Sequence, residues 1–307
     1  MGVVRSALLA GSESRWLREH ATRWRFVRGA VSRFMPGETV EEALEATRAL
    51  GVGTVLTRLG ENVRDIGQAQ EVTRHYLDVL DRVARDRLDV EISVKLTQLG
   101  LDLSRGESEK NLNALIERAR AHSNWIWIDM EGTAYTDVTL DIARRARTAS
   151  ANVGVCVQSY LYRTAADLKS LIALGSGIRL VKGAYREPPD RAFPKKSDVD
   201  ENYFKLAALL LSAEARAQGV RAIFGTHDPV LIRRIEDLGR SSNLPPEALE
   251  FQMLYGIRRQ EQERLARAGY RFRVLISYGE AWFPWYMRRL AERPANVLFV
   301  VKNLFAR

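Results

Sequence analysis

The chain has 307 residues, of which 46% are hydrophobic and 28% are charged, and its formal net charge is +9. This composition is typical of a globular protein, and the length fits one barrel-sized domain or two smaller ones. The single cysteine, Cys156, excludes an intrachain disulfide and is compatible with a reducing compartment.

The basic balance of 47 Lys and Arg against 38 Asp and Glu suits an anionic ligand, nucleic acid or an acidic membrane surface. The arginines are scattered without a long basic run, so a merely basic surface is favoured over a nucleic-acid face. The four histidines show no zinc spacing. The N-terminus lacks signal-peptide features, and no apolar stretch approaches the roughly 20 residues that cross a bilayer. We therefore expect a cytoplasmic protein without a metal site.

Short apolar runs alternate along the chain with longer amphipathic stretches. Each run is rich in β-branched or aromatic residues, as strands prefer. The predicted strands are 52–61, 90–100, 124–132, 153–160, 177–185, 220–228, 249–257 and 272–280. A predicted helix over 200–219 ends on Gly219, as a helix C-cap would.

Eight such units predict an α/β protein with a (β/α)8 barrel, because strands that alternate with helices form a parallel sheet. An open, Rossmann-type sheet is the alternative, although no G-x-G-x-x-G follows the first strand. We expect an N-terminal helical extension over 1–36 and a catalytic barrel over 37–307. The stretch 187–198 reads as a long polar loop after the fifth strand.

Charged and amide side chains fall where the predicted strands end, which is where (β/α)8 enzymes place their chemistry. Along the chain they are Glu61, Lys95, Asp129, Glu131, Gln158, Arg179, Lys182, Thr226, His227, Asp228, Gln252 and Tyr255. Any one of them has an ordinary alternative: a strand lysine is usually a snorkelling residue, and Asp228 before proline is a typical helix N-cap. Their shared position predicts a common mouth.

The charge at this mouth is mainly positive, which favours anionic ligands. Arg179, Lys182, Thr226 and His227 suit a phosphate. Lys95 and the pair Arg288–Arg289 suit a carboxylate, because arginine binds carboxylates in a bidentate manner. Glu292 lies one helical turn after the pair and can orient either arginine, or it forms a plain surface salt bridge.

At these residues the sequence resembles the single-function bacterial proline dehydrogenases. The similar segments follow the family's order from about residue 38 to 296. They are "KLTQLGLDL", "DME", "QSYLYRT", "RLVKGAYREP", "GTHDP", "FQMLYGIR" and "RRLAERP". The resemblance implies a distorted (β/α)8 barrel with the last helix over its mouth, and oxidation of L-proline to Δ1-pyrroline-5-carboxylate with a flavin.

The resemblance also implies roles for individual residues. Arg288, Arg289 and Lys95 bind the proline carboxylate, and Asp129 supports them. Glu61 pairs with Arg289 and closes the site. Glu292 matches the glutamate that follows the arginine pair.

The same resemblance implies a set of flavin contacts. Gln158 bonds the edge of the flavin ring, Arg179 lies near N5, and Lys182, Thr226 and His227 bind the phosphates and the ribityl chain. Further cofactor contacts are expected at Met130, Val181, Gly183, Ala184, Arg186, Gln252 and Met253.

This chain departs from the family pattern at several positions. Arg186 replaces an aromatic that stacks on the FAD adenine, so FAD is expected with FMN as an alternative. Leu275 and Trp285 stand where relatives place tyrosines near the proline ring. Thr57 replaces an acid.

The implied mechanism is hydride transfer from proline C5 to flavin N5, with the arginines orienting the substrate beside the aromatic residues of 282–286. Electrons then pass to a membrane quinone, and a separate pyrroline-5-carboxylate dehydrogenase is implied. The basic charge and the segment 296–307 could serve peripheral contact with the inner face of the membrane, although a packed terminal helix is favoured.

Two other classes remain as alternatives. A Schiff-base aldolase would use Lys95 or Lys182 and need no flavin. A non-catalytic module binding nucleic acid would show steep salt dependence.

Overall fold

A closed barrel of eight parallel strands, joined in chain order, is the centre of the molecule. The computed structural model describes residues 31–283 and 286–287. The strands are β1 (Gly53–Arg58), β2 (Val90–Val94), β3 (Ile126–Ile128), β4 (Val153–Gln158), β5 (Gly177–Val181), β6 (Arg221–Gly225), β7 (Glu250–Leu254) and β8 (Arg271–Tyr278). The predicted (β/α)8 class is confirmed. Most predicted strands ran too far at their C-terminal ends, because the apolar pattern continues into buried loops.

Helices surround the barrel. In the described part of the chain they are α1 (Val40–Leu50), α2 (Ile66–Arg85), α3 (Arg105–Ala121), α4 (Thr136–Ala149), α5 (Thr164–Ala173), α6 (Lys196–Leu210), α7 (Ala213–Ala217), α8 (Pro229–Ser241) and α9 (Arg259–Arg267). Short 3-10 helices lie at Thr133–Tyr135 and Pro246–Ala248.

Side-chain caps define where several helices begin. Thr39 and Glu42 form a reciprocal capping box on α1. Asp65 accepts a hydrogen bond from the main-chain N–H of Gln68 at α2, and Ser104 does the same for Glu107 at α3. These caps fix where each loop leaves the rim of the barrel.

The single helix predicted over 200–219 is wrong, because the chain forms α6 and α7 there. Ser212 lies between them and its hydroxyl accepts a hydrogen bond from Ala215 N at 3.1 Å. A serine side chain that satisfies the next turn in this way starts a new helix. Gly219 follows α7 with φ of +74°, in the left-handed region that glycine favours.

Most of the hydrophobic core lies between the strands and the surrounding helices. A smaller cluster fills the barrel interior, where Val55, Trp127 and Ile223 are completely buried and Leu275 packs against them. The interior is therefore closed in the middle, and ligands can reach it only from an end.

Aromatic residues after β8 pack against the start of the described chain. Trp282 and Tyr286 are each 2% exposed, and Trp282 Nε1 donates to Glu38 Oε1 at 3.0 Å. The rings of Phe34 and Tyr286 are 6.3 Å apart. Trp282 and Tyr286 thus connect the segment after β8 with residues 34–38.

The expected extra helices before residue 31 and the last helix over the mouth lie outside the described residues. Within the described ranges, no helix combines the length and the apolar character that a membrane crossing needs.

Candidate active site

The polar residues singled out in the sequence lie at the C-terminal ends of the strands, as parallel packing requires. Lys95 follows β2 directly, Asp129 follows β3, Gln158 ends β4, and Lys182 follows β5. Because all eight strands are parallel, these ends form one rim.

A buried ion cluster joins three strands at this rim. Lys95 Nζ lies 3.2 Å from Asp129 Oδ2, and Arg179 bonds the other carboxylate oxygen of Asp129. Ser93 Oγ donates to Asp129 Oδ1 at 2.8 Å and accepts from Arg179 Nη2 at 2.8 Å. Lys95 is 9% exposed and Arg179 2%. Two buried cations therefore share the Asp129 carboxylate.

The charges of this cluster sustain one another. Burial alone would raise the pKa of Asp129, but the attraction of Lys95 and Arg179 outweighs it and the pKa is lowered. Burial alone would lower the pKa of Lys95, but Asp129 and Glu61 outweigh it and the pKa is raised. Lys95 therefore remains a cation near neutral pH.

Gln158, at the end of β4, has a buried amide oxygen without a hydrogen-bond partner among the described residues. Its Nε2 donates to the carbonyl oxygens of Met130 and Glu131, each at 3.3 Å. A buried acceptor of this kind is costly unless a donor binds there.

Gln252 connects the mouth with the barrel interior. Its Oε1 accepts from Arg179 Nη1 at 3.4 Å, and its Nε2 donates to Glu250 Oε1 at 3.5 Å. Gln252 thereby restrains the Arg179 guanidinium from the side opposite Asp129.

Lys182 lies between two carboxylates that the sequence reasoning did not assign to it. Its Nζ bonds Asp200 on α6 and lies 2.8 Å from Asp228 Oδ2 at the start of α8. Burial would raise the pKa of Asp228, but the hydrogen bond from Lys182 lowers it to about 2. Local pattern gives no signal for these contacts, since the partners are 18 and 46 residues away.

The segment after β6 has a defined hydrogen-bond pattern. The buried Thr226 accepts from Asp228 N at 3.2 Å. Leu254 N donates to His227 Nε2 at 2.8 Å, so Nε2 is an acceptor and the neutral ring carries its proton on Nδ1. The hydrogen bond from β7 thus fixes the tautomer and the orientation of the His227 ring.

Gly183 provides a close approach to the main chain. Its φ is +111°, and a Cβ there would lie 2.4 Å from the ring of Tyr160. The neighbouring Val181 and Ala184 are half-buried and Arg186 is exposed. Glycine at position 183 therefore lets the β5 loop pack directly against the Tyr160 ring, which a larger residue would prevent.

The remaining predicted residues are placed as follows. Glu61 Oε1 accepts from Tyr185 OH at 3.1 Å. Leu275 faces the barrel interior, whereas Met130 and Met253 pack in the main core at 6% and 1% exposed. The predicted roles of Arg288, Arg289, Trp285 and Glu292 lie outside the described residues.

Two residues of the site escaped the sequence reasoning. Ser93 lies two positions before Lys95 on the same face of β2, and the period of two could have found it. Tyr185 lies within the similar segment "RLVKGAYREP", and only the fold brings it to Glu61.

A cavity of about 970 Å³ opens at the opposite, N-terminal end of the barrel. Its wall includes Arg221, Arg273, Glu91 and Glu250, which form ion pairs with one another. The strand-end residues described above do not line it, so we place the candidate active site at the C-terminal rim.

The fold and the rim define a (β/α)8 barrel protein with a cation-rich, strand-end site. The proline dehydrogenase family pattern matches residues 40–302. The chain belongs to the proline dehydrogenase family. It is 36% identical to proline dehydrogenase 1 of Bacillus subtilis subsp. natto over 305 residues, covering 98% of this chain and 99% of the relative. It is also 36% identical to the proline dehydrogenase of Deinococcus radiodurans over 286 residues, or 89% of each chain.

Solved structures share the fold. Proline utilization A from Bdellovibrio bacteriovorus, inactivated by N-propargylglycine, superposes with a TM-score of 0.78 at 24% identity. Proline utilization A from Bradyrhizobium japonicum superposes with a TM-score of 0.74, also at 24% identity. The matches cover 94% and 88% of this chain but only 36% and 31% of those longer chains.

Proposed function

We propose that the chain is a flavin-dependent proline dehydrogenase that oxidises L-proline to Δ1-pyrroline-5-carboxylate at the C-terminal rim of the barrel. The observation that supports this most directly is the cluster in which Lys95 and Arg179, both buried, share the Asp129 carboxylate beside the open acceptor of Gln158. A carboxylate substrate and a ring with an N–H donor together satisfy these groups.

The residues present fit a flavin. The buried Oε1 of Gln158 has no partner among the described residues and can accept from a ring N–H. On the family resemblance, we assign the phosphates and the ribityl chain to Lys182, Thr226 and His227. When bound, a flavin accepts the hydride removed from the substrate. We favour FAD, with FMN as the alternative, because Arg186 replaces the aromatic that stacks on adenine.

The substrate carboxylate is bound by Lys95 together with Arg288 and Arg289 in this proposal. Asp129 keeps Lys95 charged and directed toward the mouth. Glu61, which accepts a hydrogen bond from Tyr185, pairs with Arg289 and closes the site in the same proposal.

Catalysis by this site rests on orientation. Fixing the carboxylate fixes the ring that bears the C–H bond to be broken, and correct placement of two reactants supplies about 7–11 kcal/mol of the barrier in favourable cases. Arg179 stays cationic because Asp129 is adjacent, so it can stabilise negative charge beside the proposed hydride acceptor.

We extend the proposal to the reaction partners on the resemblance stated above. A membrane quinone reoxidises the enzyme, and a separate pyrroline-5-carboxylate dehydrogenase consumes the product. Peripheral contact with the membrane belongs to the same proposal.

The Schiff-base alternative is disfavoured by the ion pairs of both candidate lysines. A nucleophilic amine must lose its proton, but Asp129 and Glu61 raise the pKa of Lys95. Lys182 Nζ bonds Asp200 and lies 2.8 Å from Asp228 Oδ2, so two carboxylates already engage this amine.

The test is the visible absorbance spectrum of the purified protein before and after adding L-proline without oxygen. We expect a flavin spectrum that bleaches with proline. In Lys95→Met the flavin should remain while bleaching at low proline is lost, whereas Lys205→Met, an exposed lysine of α6, should behave as the wild type.

Two results would contradict the proposal. A flavin that proline does not bleach would reject proline as substrate. A colourless protein that takes up neither FAD nor FMN would reject the flavoenzyme and bring the Schiff-base class forward.

A further inference from the structure

Glu131 is a buried carboxylate to which the proposed function gives no role. It lies three residues after β3 and is 3% exposed. None of the described lysines or arginines forms an ion pair with it. A buried carboxylate is costly, so its contacts should reveal what offsets the cost.

The carboxylate of Glu131 binds the turn that begins at Lys95. Thr97 N donates to Oε1 at 3.2 Å and Thr97 Oγ1 donates to Oε2 at 2.7 Å. The turn closes on the carbonyl oxygen of Lys95, which accepts from Gln98 N at 3.1 Å and from Leu99 N at 3.3 Å. Glu131 therefore restrains the main chain that carries Lys95.

The main chain of Glu131 reaches the cofactor side of the mouth. Its carbonyl oxygen accepts from Gln158 Nε2 at 3.3 Å. Because this bond occupies the amide nitrogen of Gln158, the amide oxygen is the atom left open. One residue thus contacts both the Lys95 turn and Gln158.

We propose that Glu131 is a positioning residue that sets Lys95 against Gln158, and that it competes electrostatically with a carboxylate ligand bound at Lys95. The inference rests on the proposed function of the site. Glu131 acts through Thr97 and through its own carbonyl oxygen, without touching the reacting atoms.

The charge of Glu131 changes near neutral pH. Burial raises its pKa to about 7, against the hydrogen bonds of Thr97 and the charge of Lys95, which lower it; Glu61 raises it further. The phenol of Tyr135 also faces it. A carboxylate bound at Lys95 adds another negative charge and makes the protonated form of Glu131 still more favourable.

The two equilibria are reciprocal, so an anion should bind more weakly once Glu131 is ionised. A difference of one pKa unit between the free and the bound protein corresponds to a change of about tenfold in affinity. Anion binding would not weaken with rising pH in this way if Glu131 only stabilised the fold.

The test uses tetrahydro-2-furoate, a proline analogue in which a ring oxygen replaces the amine, so that the ligand itself does not titrate near neutral pH. Its dissociation constant is measured from the change in flavin absorbance of the holoenzyme between pH 6 and 9. We expect the constant of the wild type to rise about tenfold over this range. Glu131→Gln should hold it constant within about twofold, because the amide keeps an acceptor for Thr97 N but cannot ionise.

Thr97→Val provides a second variant, since it removes the Oγ1 donor and keeps the shape of the side chain. We expect it to weaken binding of the probe about fivefold, the effect of losing one typical hydrogen bond. Thr139→Val is the matched control, because Thr139 on α4 is completely buried and its hydroxyl has no partner among the described residues.

An unchanged pH profile in Glu131→Gln, with Thr97→Val binding the probe as the wild type does, would overturn the inference. A lower melting temperature without either change would mean that Glu131 is only structural, which also overturns it. Wild-type holoenzyme that binds neither the probe nor proline would instead contradict the proposed function.

Discussion

Asp129 shows how one carboxylate organises the candidate site. It accepts from Ser93 on β2, from Lys95 directly after β2 and from Arg179 on β5. A buried cation without its counter-ion is strongly destabilised, so these contacts matter more than exposed ion pairs of similar length. The sequence pointed to Asp129 because it follows a buried strand directly.

Asp129→Asn should therefore impair both stability and binding. Removing one partner of a buried ion cluster costs roughly 3–5 kcal/mol of unfolding free energy. Without its counter-charge Lys95 should lose its proton more readily, and the KM for proline should rise at least about tenfold. Urea unfolding and steady-state kinetics measure the two effects, with Asp237→Asn in an exposed pair as the control. A variant with normal stability and KM would show that Asp129 is dispensable.

The strands of the barrel use their two ends differently. At the C-terminal ends the ionic groups leave an acceptor and cations available to a ligand. At the N-terminal ends Arg221 is bonded to Glu91 and Glu250, each at 2.8 Å, and Arg273 lies within 3.4 and 3.6 Å of the same two carboxylates. Trp127 Nε1 also donates to Glu91 at 2.6 Å. These groups satisfy each other along the wall of the N-terminal cavity.

Arg221→Met should destabilise the protein without a direct effect on the rim. The change leaves Glu91 and Glu250 buried with fewer positive partners, which costs roughly 3–5 kcal/mol. Urea unfolding should show a lower midpoint, while the flavin spectrum and its bleaching by proline remain at a temperature where the variant is folded. Arg240→Met, in an exposed pair, should leave the midpoint unchanged. A wild-type midpoint in Arg221→Met would contradict a structural role for the network.

Over the whole molecule, two titratable groups, the buried Glu131 and the half-buried His75, give the free energy of unfolding opposite pH dependences. The pKa of Glu131 is raised to about 7, so the folded protein binds more protons than the unfolded chain between about pH 4.5 and 7, and stability falls as pH rises there. Burial and the neighbouring Arg58 lower the pKa of His75 to about 4. The unfolded chain therefore binds more protons between about pH 4 and 6.5, and stability rises with pH.

The free energy of unfolding should consequently vary less with pH in the wild type than in Glu131→Gln or His75→Gln. Glu131 contributes about 3 kcal/mol to the free energy of unfolding at low pH, and this contribution falls as pH rises. Glu131→Gln removes it, so the unfolding free energy of this variant should rise from pH 4.5 to 6.5. His75→Gln should show the reverse, a fall toward pH 7. Urea unfolding at several pH values measures both slopes. Parallel pH profiles in all three proteins would contradict the assignment.

Much of the architecture could be predicted from the sequence alone. The alternation of apolar runs with amphipathic stretches determined the (β/α)8 barrel, because strand and helix periods are local properties of the chain. The end of each buried strand marked Lys95, Asp129 and Gln158 for the same reason. The family resemblance rested on short segments at those ends, and the full-length relatives bear it out.

Only the tertiary structure decided which side chains meet. Lys182 lies between Asp200 and Asp228. Tyr185 bonds Glu61 from 124 residues away, and Trp282 bonds Glu38 from 244 residues away. Such pairs depend on the closure of the barrel and the angles of its loops, which bring together residues that are distant along the chain. Local pattern fixes the strands and their polar ends, whereas the charge state of Glu131 arises from burial that exists only once the whole barrel has formed.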